Sequence, residues 1–156
     1  MLKRITSRTG SKTGGRFAIV ASCYNKRYVQ ALVRAARREL RHGGADSVEV
    51  VRVPGAFEIP VVAAKLARER TPPLSAILCL GVIFQGETSH ARHIGDAVSH
   101  ALAQLQLECR LPVIHGVYLF ENQEQARIRC LGRTHNRGLE VARTALEMAR
   151  VIARMG

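Results

Sequence analysis

Short apolar runs alternate with longer amphipathic segments along most of the chain. The runs are rich in branched residues and contain few polar positions, a pattern typical of strands that are buried on both faces. They predict four strands, at Arg16–Ser22, Val48–Val53, Ser75–Ile83 and Pro112–Phe120.

Apolar residues recur at helical spacing between and after these runs. The spacing predicts helices at Lys26–His42, Phe57–Arg70 and Thr88–Cys109, and two more within residues 122–131 and 136–155. Strands that alternate with helices in this way pair in parallel through right-handed crossovers. We therefore predict an α/β fold of flavodoxin-like type, a three-layer sandwich whose central four-stranded parallel sheet carries helices on both faces.

The first residues differ from the rest of the chain in composition. The segment Met1–Arg16 contains five Lys or Arg residues and no acid, and it is rich in Gly, Ser and Thr. This composition predicts a flexible basic arm over residues 1–15, which orders on a partner subunit. A single domain over residues 16–156 then follows.

No feature of the sequence directs the protein into or across a membrane. No apolar run is long enough to span a bilayer, and the N-terminus lacks the apolar stretch of a secretory signal. An organelle transit peptide is disfavoured by the shortness of the basic segment. The cysteines show no C-x-x-C spacing, which indicates reduced thiols rather than disulfides or zinc and favours a cytoplasmic protein. They are Cys23, Cys79, Cys109 and Cys130.

The chain carries a formal net charge of +12. Basic residues that neutralise phosphates supply most non-specific affinity for nucleic acids. Aromatic residues, however, make up only 4% of the chain, and no tryptophan or stacking platform is present. A solvated basic face is therefore the favoured interpretation, and nucleic acid is not expected as a partner. Some arginines can instead meet a small phosphorylated ligand or a neighbouring subunit. The clusters are Arg34, Arg37, Arg38 and Arg41, and Arg127, Arg129, Arg133 and Arg137.

Polar and aromatic residues collect where the predicted strands end. In open parallel sheets, ligands bind beyond the carboxyl ends of the strands. This rule places Cys23–Asn25, Pro54–Glu58, Val82–His90 and His115–Phe120 along one edge of the sheet. The convergence of the four segments predicts a binding site there.

The stretch GVIFQGETSHARH, Gly81–His93, joins the third strand to the following helix. Backbone N–H groups at such a junction favour an anion, and we expect Thr88 and its neighbours to hold a phosphate. His90 then moves protons near neutral pH. In the alternative interpretation, Thr88 is a helix cap and His90 a surface or core residue. A metal site formed by Glu87, His90 and His93 is a further alternative.

Three other segments supply candidate ligand contacts. Tyr24 can stack on a planar ring while Asn25 bonds nearby, although Asn25 is equally suited to cap the following helix. In VPGAFEIP, residues 53–60, Phe57 offers an aromatic face and Glu58 accepts bonds from hydroxyl groups. The alternative buries Phe57 in the core and leaves Glu58 as a favourable charge at a helix N-terminus. Arg129 can complete a phosphate clamp from another subunit, or it is one more exposed arginine.

Taken together, these motifs resemble the lumazine synthase (6,7-dimethyl-8-ribityllumazine synthase) family from about Arg16 to Ala153. The match comprises VPGAFEIP, GVIFQGETSH, LPVIHGV and NRGLEVARTALEMA in the family's order. The resemblance implies a condensation of 5-amino-6-(D-ribitylamino)uracil with 3,4-dihydroxy-2-butanone 4-phosphate, without metal or organic cofactor. Phosphate and water are released, and His90 is implied as the catalytic proton carrier.

The resemblance also implies which residues bind the two substrates. Tyr24 stacks on the pyrimidine, Glu58 holds ribityl hydroxyls, and Arg129 supplies a cation to the phosphate. The residues implied for the ribitylaminouracil are Tyr24, Asn25, Ala56, Phe57, Glu58, Val82, Ile83, Phe84 and His115; those for the butanone phosphate are Glu87, Thr88 and Arg129.

Some positions depart from the family pattern. His115 stands where the family usually has a phenylalanine that closes the pocket from a neighbouring subunit, so it adds a titratable group and makes the pocket wetter. Gln85 replaces a common basic residue, Arg137 replaces a common lysine, and Leu131 and Gly132 disturb an A-G-T-K pattern. None of these changes removes His90, so we expect activity with altered affinity or pH dependence.

The resemblance further implies a homo-pentamer with active sites between subunits, and some members build shells of twelve pentamers. Residues 131–138 carry no insertion relative to the shell-forming pattern. Two alternatives of a different class remain. One is a non-catalytic relative that binds flavin or lumazine, and the other is a shell-forming protein that packages nucleic acid. An electron carrier is disfavoured because no flavodoxin-type phosphate loop is present.

Overall fold

Every predicted strand and helix is present in the computed structural model, which describes residues 12–156. The strands are β1 (Arg16–Ser22), β2 (Ser47–Val53), β3 (Ala76–Phe84) and β4 (Val113–Phe120). The helices are α1 (Lys26–His42), α2 (Ile59–Glu69), α3 (His90–Cys109), α4 (Gln123–Ala126) and α5 (Arg137–Arg154). A 3-10 turn, Ala56–Glu58, precedes α2, and a π-helical segment, Arg127–Leu131, follows α4.

The strands form one parallel sheet in the order β2-β1-β3-β4, which confirms the predicted α/β fold. The direction of strand addition reverses between β1 and β3, and ligands of such sheets bind outside this point. Pairing of β1 with β3 ends at Ala21↔Leu80, whereas pairing of β3 with β4 continues to Phe84↔Phe120. The last residues of β3 therefore extend past β1 and leave room beside them at the carboxyl edge.

Two apolar layers hold the helices to the sheet. Phe17 and Ile19 of β1 point to the layer covered by α1 and α5, while Ala18 and Val20 point to the layer covered by α2 and α3. All four side chains are fully buried, as expected for a central strand whose alternate residues face opposite sides. Burying both faces of β1 and β3 fixes the register of the strands, and so it fixes where their ends meet.

Two helices begin later than predicted. The segment after β2 first forms the 3-10 turn, so α2 starts at Ile59 rather than Phe57, with Pro60 in its first turn. Helix α3 starts at His90 rather than Thr88, and the Thr88 carbonyl is instead bonded by the side chain of Gln85 in the preceding loop. His90 is consequently the first residue of the helix, whereas the predicted start made it the third.

The first described residues are tied to the turn between α1 and β2. The backbone N–H of Thr13 donates to the carbonyl of Gly43 at 2.9 Å, and that of Gly15 donates to Asp46 Oδ2 at 2.7 Å. Residues 1–11 of the predicted arm lie outside the described residues. Within residues 12–156, no helix is long and apolar enough to cross a bilayer.

Candidate active site

Backbone hydrogen bonds join the ends of β1 and β2. The N–H of Cys23 donates to the carbonyl of Val53 at 2.8 Å, and the N–H of Tyr24 donates to the carbonyl of Pro54 at 3.1 Å. These bonds continue the pairing of the two strands into the turns that follow them. The turn carrying Tyr24 and the 3-10 turn after β2 are therefore held side by side.

The side chain of Asn25 joins the same turn to β3. Its Nδ2 donates to the carbonyl of Val82 at 2.7 Å, in the part of β3 that extends past the pairing with β1. Asn25 has φ 56, a left-handed conformation that Asn tolerates better than most residues. Asn25 is the N-cap residue of α1, as the alternative expected, and its carbonyl accepts the first bonds of the helix, although its side chain makes no cap bond.

Substitution of Asn25 should weaken the structure through this one bond. We expect Asn25→Asp to lower the free energy of unfolding by about 1–3 kcal/mol, because it sets a carboxylate oxygen against the Val82 carbonyl. Asn25→Gly keeps the left-handed backbone and loses only the donor, and should cost less. Urea unfolding of both variants measures the difference; an Asp variant as stable as the wild type would contradict the expectation.

Tyr24 packs over the turn that begins the 3-10 segment. A Cβ built on Gly55 would lie 3.0 Å from two ring atoms of Tyr24 and 2.9 Å from Glu58 Oε2, so a larger residue would displace one of these side chains. Glu58 Oε2 accepts the Gly55 N–H at 3.0 Å, which leaves its carboxylate at the start of α2.

The two aromatic side chains of this region face outward. Tyr24 is 68% exposed and Phe57 is 62% exposed, whereas the small Ala56 between the turns is buried. The alternative that places Phe57 in the core is therefore wrong. Large apolar rings this exposed in a single chain are typical of surfaces that meet a ligand or another subunit.

The loop between β3 and α3 is held by a glutamine. Gln85 Nε2 donates to the carbonyls of Gly86 and Thr88 at 3.1 and 2.9 Å, and so its side chain spans the loop. A Cβ built on Gly86 would meet nothing within 4 Å, so the space in front of the loop is open and the structure shows no close approach at this glycine. The Thr88 hydroxyl accepts the His90 N–H only at 3.4 Å, a weak cap.

The N-terminus of α3 is suited to an anion. The first i→i−4 bond of the helix runs from the His93 N–H to the Ser89 carbonyl, so the N–H groups before His93 have no helical acceptor. The first turn contains no acid and carries His90, Arg92 and His93. Helix dipole and side-chain charge thus both favour a negative ligand beside His90.

The alternative metal site loses its geometric basis. It required Glu87, His90 and His93 to share one helical face, but Glu87 lies in the loop before the helix begins. Among residues 12–156, no group of three or more His, Cys, Asp or Glu side chains is placed to hold a metal ion.

Two predicted site residues lie elsewhere. His115 is the third residue of β4 and pairs with Cys79, so the expectation that it lies at the carboxyl end of its strand is wrong. It lines a groove of about 690 Å³ between β4 and α5, together with Arg129 and Arg137. Arg129 sits on the π-helical segment, which is anchored by a 2.8 Å bond from Asn136 Nδ2 to the Cys130 carbonyl.

The predicted residues therefore form two groups. The strand-end group comprises residues 24–25, 56–58, 82–84 and 87–90, and the groove group comprises His115 and Arg129. Within residues 12–156, no hydrogen bond or ion pair links one group to the other. The predicted site residues are thus divided between the strand ends and the groove.

One residue of this region escaped the sequence analysis. Ser99 of α3 hydrogen-bonds the ring of His115, with 2.7 Å between Ser99 Oγ and His115 Nε2. The pair is separated by sixteen residues, and no local pattern marks a serine in the middle of an amphipathic helix.

Comparison with known proteins shows which family the chain resembles. The family model described as 6,7-dimethyl-8-ribityllumazine synthase matches residues 14–153. A protein of that name from Stenotrophomonas maltophilia (strain R551-3) is 41% identical over 142 residues, which cover 90% of each chain. A protein of the same name from Xanthomonas euvesicatoria pv. vesicatoria is 39% identical over 142 residues, covering 90% of this chain and 91% of the relative. These similarities span both groups of predicted site residues.

Proposed function

The chain belongs to the 6,7-dimethyl-8-ribityllumazine synthase family, and we infer from this that it condenses 5-amino-6-(D-ribitylamino)uracil with 3,4-dihydroxy-2-butanone 4-phosphate. The product is 6,7-dimethyl-8-ribityllumazine, the precursor from which riboflavin is made, and the protein is a transferase. The observation that carries this inference is the junction of three strand ends, where Asn25 joins the turn after β1 to β3.

The reaction needs two substrates held together and protons moved between them. The aromatic amine attacks the ketone to give a carbinolamine, which loses water to form an imine. Phosphate then leaves, and the ribityl-bearing nitrogen closes the ring with loss of a second water. A rigid site that aligns amine and ketone removes much of the entropic barrier to the first step.

The strand-end group supplies the surface for the pyrimidine. Tyr24 offers a ring face beside the turn that carries Phe57, and Glu58 presents a carboxylate to hydroxyl groups of the ribityl chain. Main-chain groups of Val82, Ile83 and Phe84 lie where β3 extends past β1 and can meet the uracil edge. Such groups fix the orientation of the ring without chemistry of their own.

The butanone phosphate is assigned to the N-terminus of α3. Glu87 and Thr88 contribute N–H groups of the loop, and the first turn of the helix contributes its dipole. His90, the first residue of that helix, is then close to the carbon atoms that react, where it can protonate the carbinolamine oxygen and take up the amine proton. Arg129 of a neighbouring subunit supplies a bidentate cation to the phosphate.

The assembly follows from the same division of residues. We propose a homo-pentamer in which the groove of one subunit covers the exposed Tyr24 and Phe57 of the next. Light scattering and native mass spectrometry distinguish a pentamer from a shell of sixty subunits. The small-molecule substrates need no membrane or nucleic-acid partner, and the cytoplasm is the proposed location.

The proposed function is tested by measuring the rate of lumazine formation. Purified protein is mixed with both substrates, and formation of the lumazine is followed optically beside a blank without protein. We expect clear acceleration over the blank. Binding of lumazine or flavin without any acceleration would instead support the non-catalytic relative.

A further inference from the structure

The ring of His115 is fixed by hydrogen bonds at both nitrogens. Ser99 Oγ lies 2.7 Å from Nε2, and the backbone N–H of Val117 donates to Nδ1 at 3.3 Å. The Ser99 hydroxyl donates its hydrogen to the carbonyl of Gly95, with 2.7 Å between the two oxygens. Because that hydroxyl has a single proton, it can only accept from His115, so Nε2 carries a hydrogen.

The same reasoning defines the charge of the ring. Nδ1 accepts a hydrogen bond from Val117, and a protonated Nδ1 would face that N–H with a second donor. The bonds therefore select the neutral ring with its hydrogen on Nε2. Burial is the main influence on the pKa of His115 and lowers it below the ordinary value, with a smaller opposing effect from the residue's own main chain.

The surroundings of the ring contain further charges. Arg129 and Arg137 line the same groove. Glu140 of α5 also lines the groove, but it is paired with Arg137. Tyr118 of β4 is the remaining titratable group there, and burial raises its pKa, so it is neutral. From α3 the ring meets the uncharged Ser99.

We propose that His115 serves as a neutral, orientation-locked planar surface for the pyrimidine, that Ser99 is its positioning residue, and that His115 exchanges no proton with substrate. Both ring nitrogens are used within the subunit, so only the ring face is left for a ligand. The residue is only partly covered in the single chain, so part of its surface remains accessible to a ligand. This proposal rests on the proposed function, because the ligand at the groove is its substrate.

The test distinguishes a role of His115 in positioning the pyrimidine from a role in proton transfer. We would measure kcat and KM for the pyrimidine between about pH 5 and about pH 8 for the wild type, Ser99→Ala, Ser99→Thr and His115→Phe. Ser99→Ala should raise KM by about 3- to 10-fold with little change in kcat, as expected from loss of one hydrogen bond. Ser99→Thr, which keeps the hydroxyl, should restore KM. His115→Phe should keep the wild-type pH profile.

A second measurement does not depend on turnover. Nitrogen NMR of the histidine rings, assigned with His115→Phe, should show His115 neutral with its hydrogen on Nε2 above its ordinary pKa. A charged ring or a hydrogen on Nδ1 at neutral pH would overturn the proposal, as would a pH profile that loses an ionisation in His115→Phe. Absence of any turnover would instead refute the proposed function and leave the state of the ring measurable.

Discussion

Replacing His90 by alanine is expected to slow lumazine formation by about 100-fold or more, the usual contribution of a positioned acid–base group. His90 is the first residue of α3 and shares its turn with the free N–H groups that we assign to the phosphate. In the proposed complex it would lie beside the reacting carbons, and its exposure lets it exchange protons with water. The rate is measured at saturating concentrations of both substrates.

His93→Ala is the matched control for this prediction. His93 lies on the same helix one turn later, is also exposed, and places a second imidazole near the N-terminus. His93→Ala should change KM for the butanone phosphate more than kcat, because His93 lies near the proposed phosphate site but is not expected to transfer protons. If His90→Ala and His93→Ala lower kcat equally, His90 has no special role in proton transfer.

Two inactive variants should restore each other when their subunits are mixed. Arg129→Ala removes the cation from the groove group, and His90→Ala removes the proton carrier from the strand-end group. Each variant alone should lose about 100-fold or more in kcat/KM. In pentamers reassembled from an equal mixture, about a quarter of the shared sites combine the intact residue of each parent, so about a quarter of wild-type activity should return.

The control for the mixing experiment is a neighbouring arginine. Arg127 lies on the same π-helical segment and is exposed, but it pairs with Glu124 and does not line the groove. Arg127→Ala alone should retain nearly full activity. If the mixture of Arg129→Ala and His90→Ala stays inactive although hybrid pentamers form, then each site is built within a single subunit and the proposed sharing is wrong.

The fold could be predicted from the sequence because the strands and the helices each have a clear apolar pattern. The central strands are apolar at every position, as in Phe17–Ala21, and the helices between them show one apolar stripe each. Helix starts were less predictable. The stripe of α3 places its buried residues correctly, but it does not reveal that Thr88 and Ser89 stay outside the helix, where Gln85 bonds the Thr88 carbonyl.

The site could be predicted only in part, and for a geometric reason. Residues directly after β1, β2 and β3 meet because parallel strands bring their carboxyl ends to one edge. His115 is inside its strand, so its position depends on the register of β4, which the sequence does not specify. The hydrogen bonds from Asn25 to Val82 and between Ser99 and His115 depend on tertiary approach and leave no sequence motif.

The hydrogen bond from Val117 to His115 has a consequence for solubility. β4 is an edge strand, and its outward N–H groups could recruit a strand from another molecule and so begin aggregation. Two of them are occupied by side chains of the same subunit, since Val117 donates to His115 and Val113 donates to Gln106 Oε1 at 3.0 Å. A phenylalanine at position 115 would preserve a ring but free one donor, leaving unassembled subunits more prone to precipitate. In the single chain, the histidine therefore blocks one of the donors through which another strand could add to this edge.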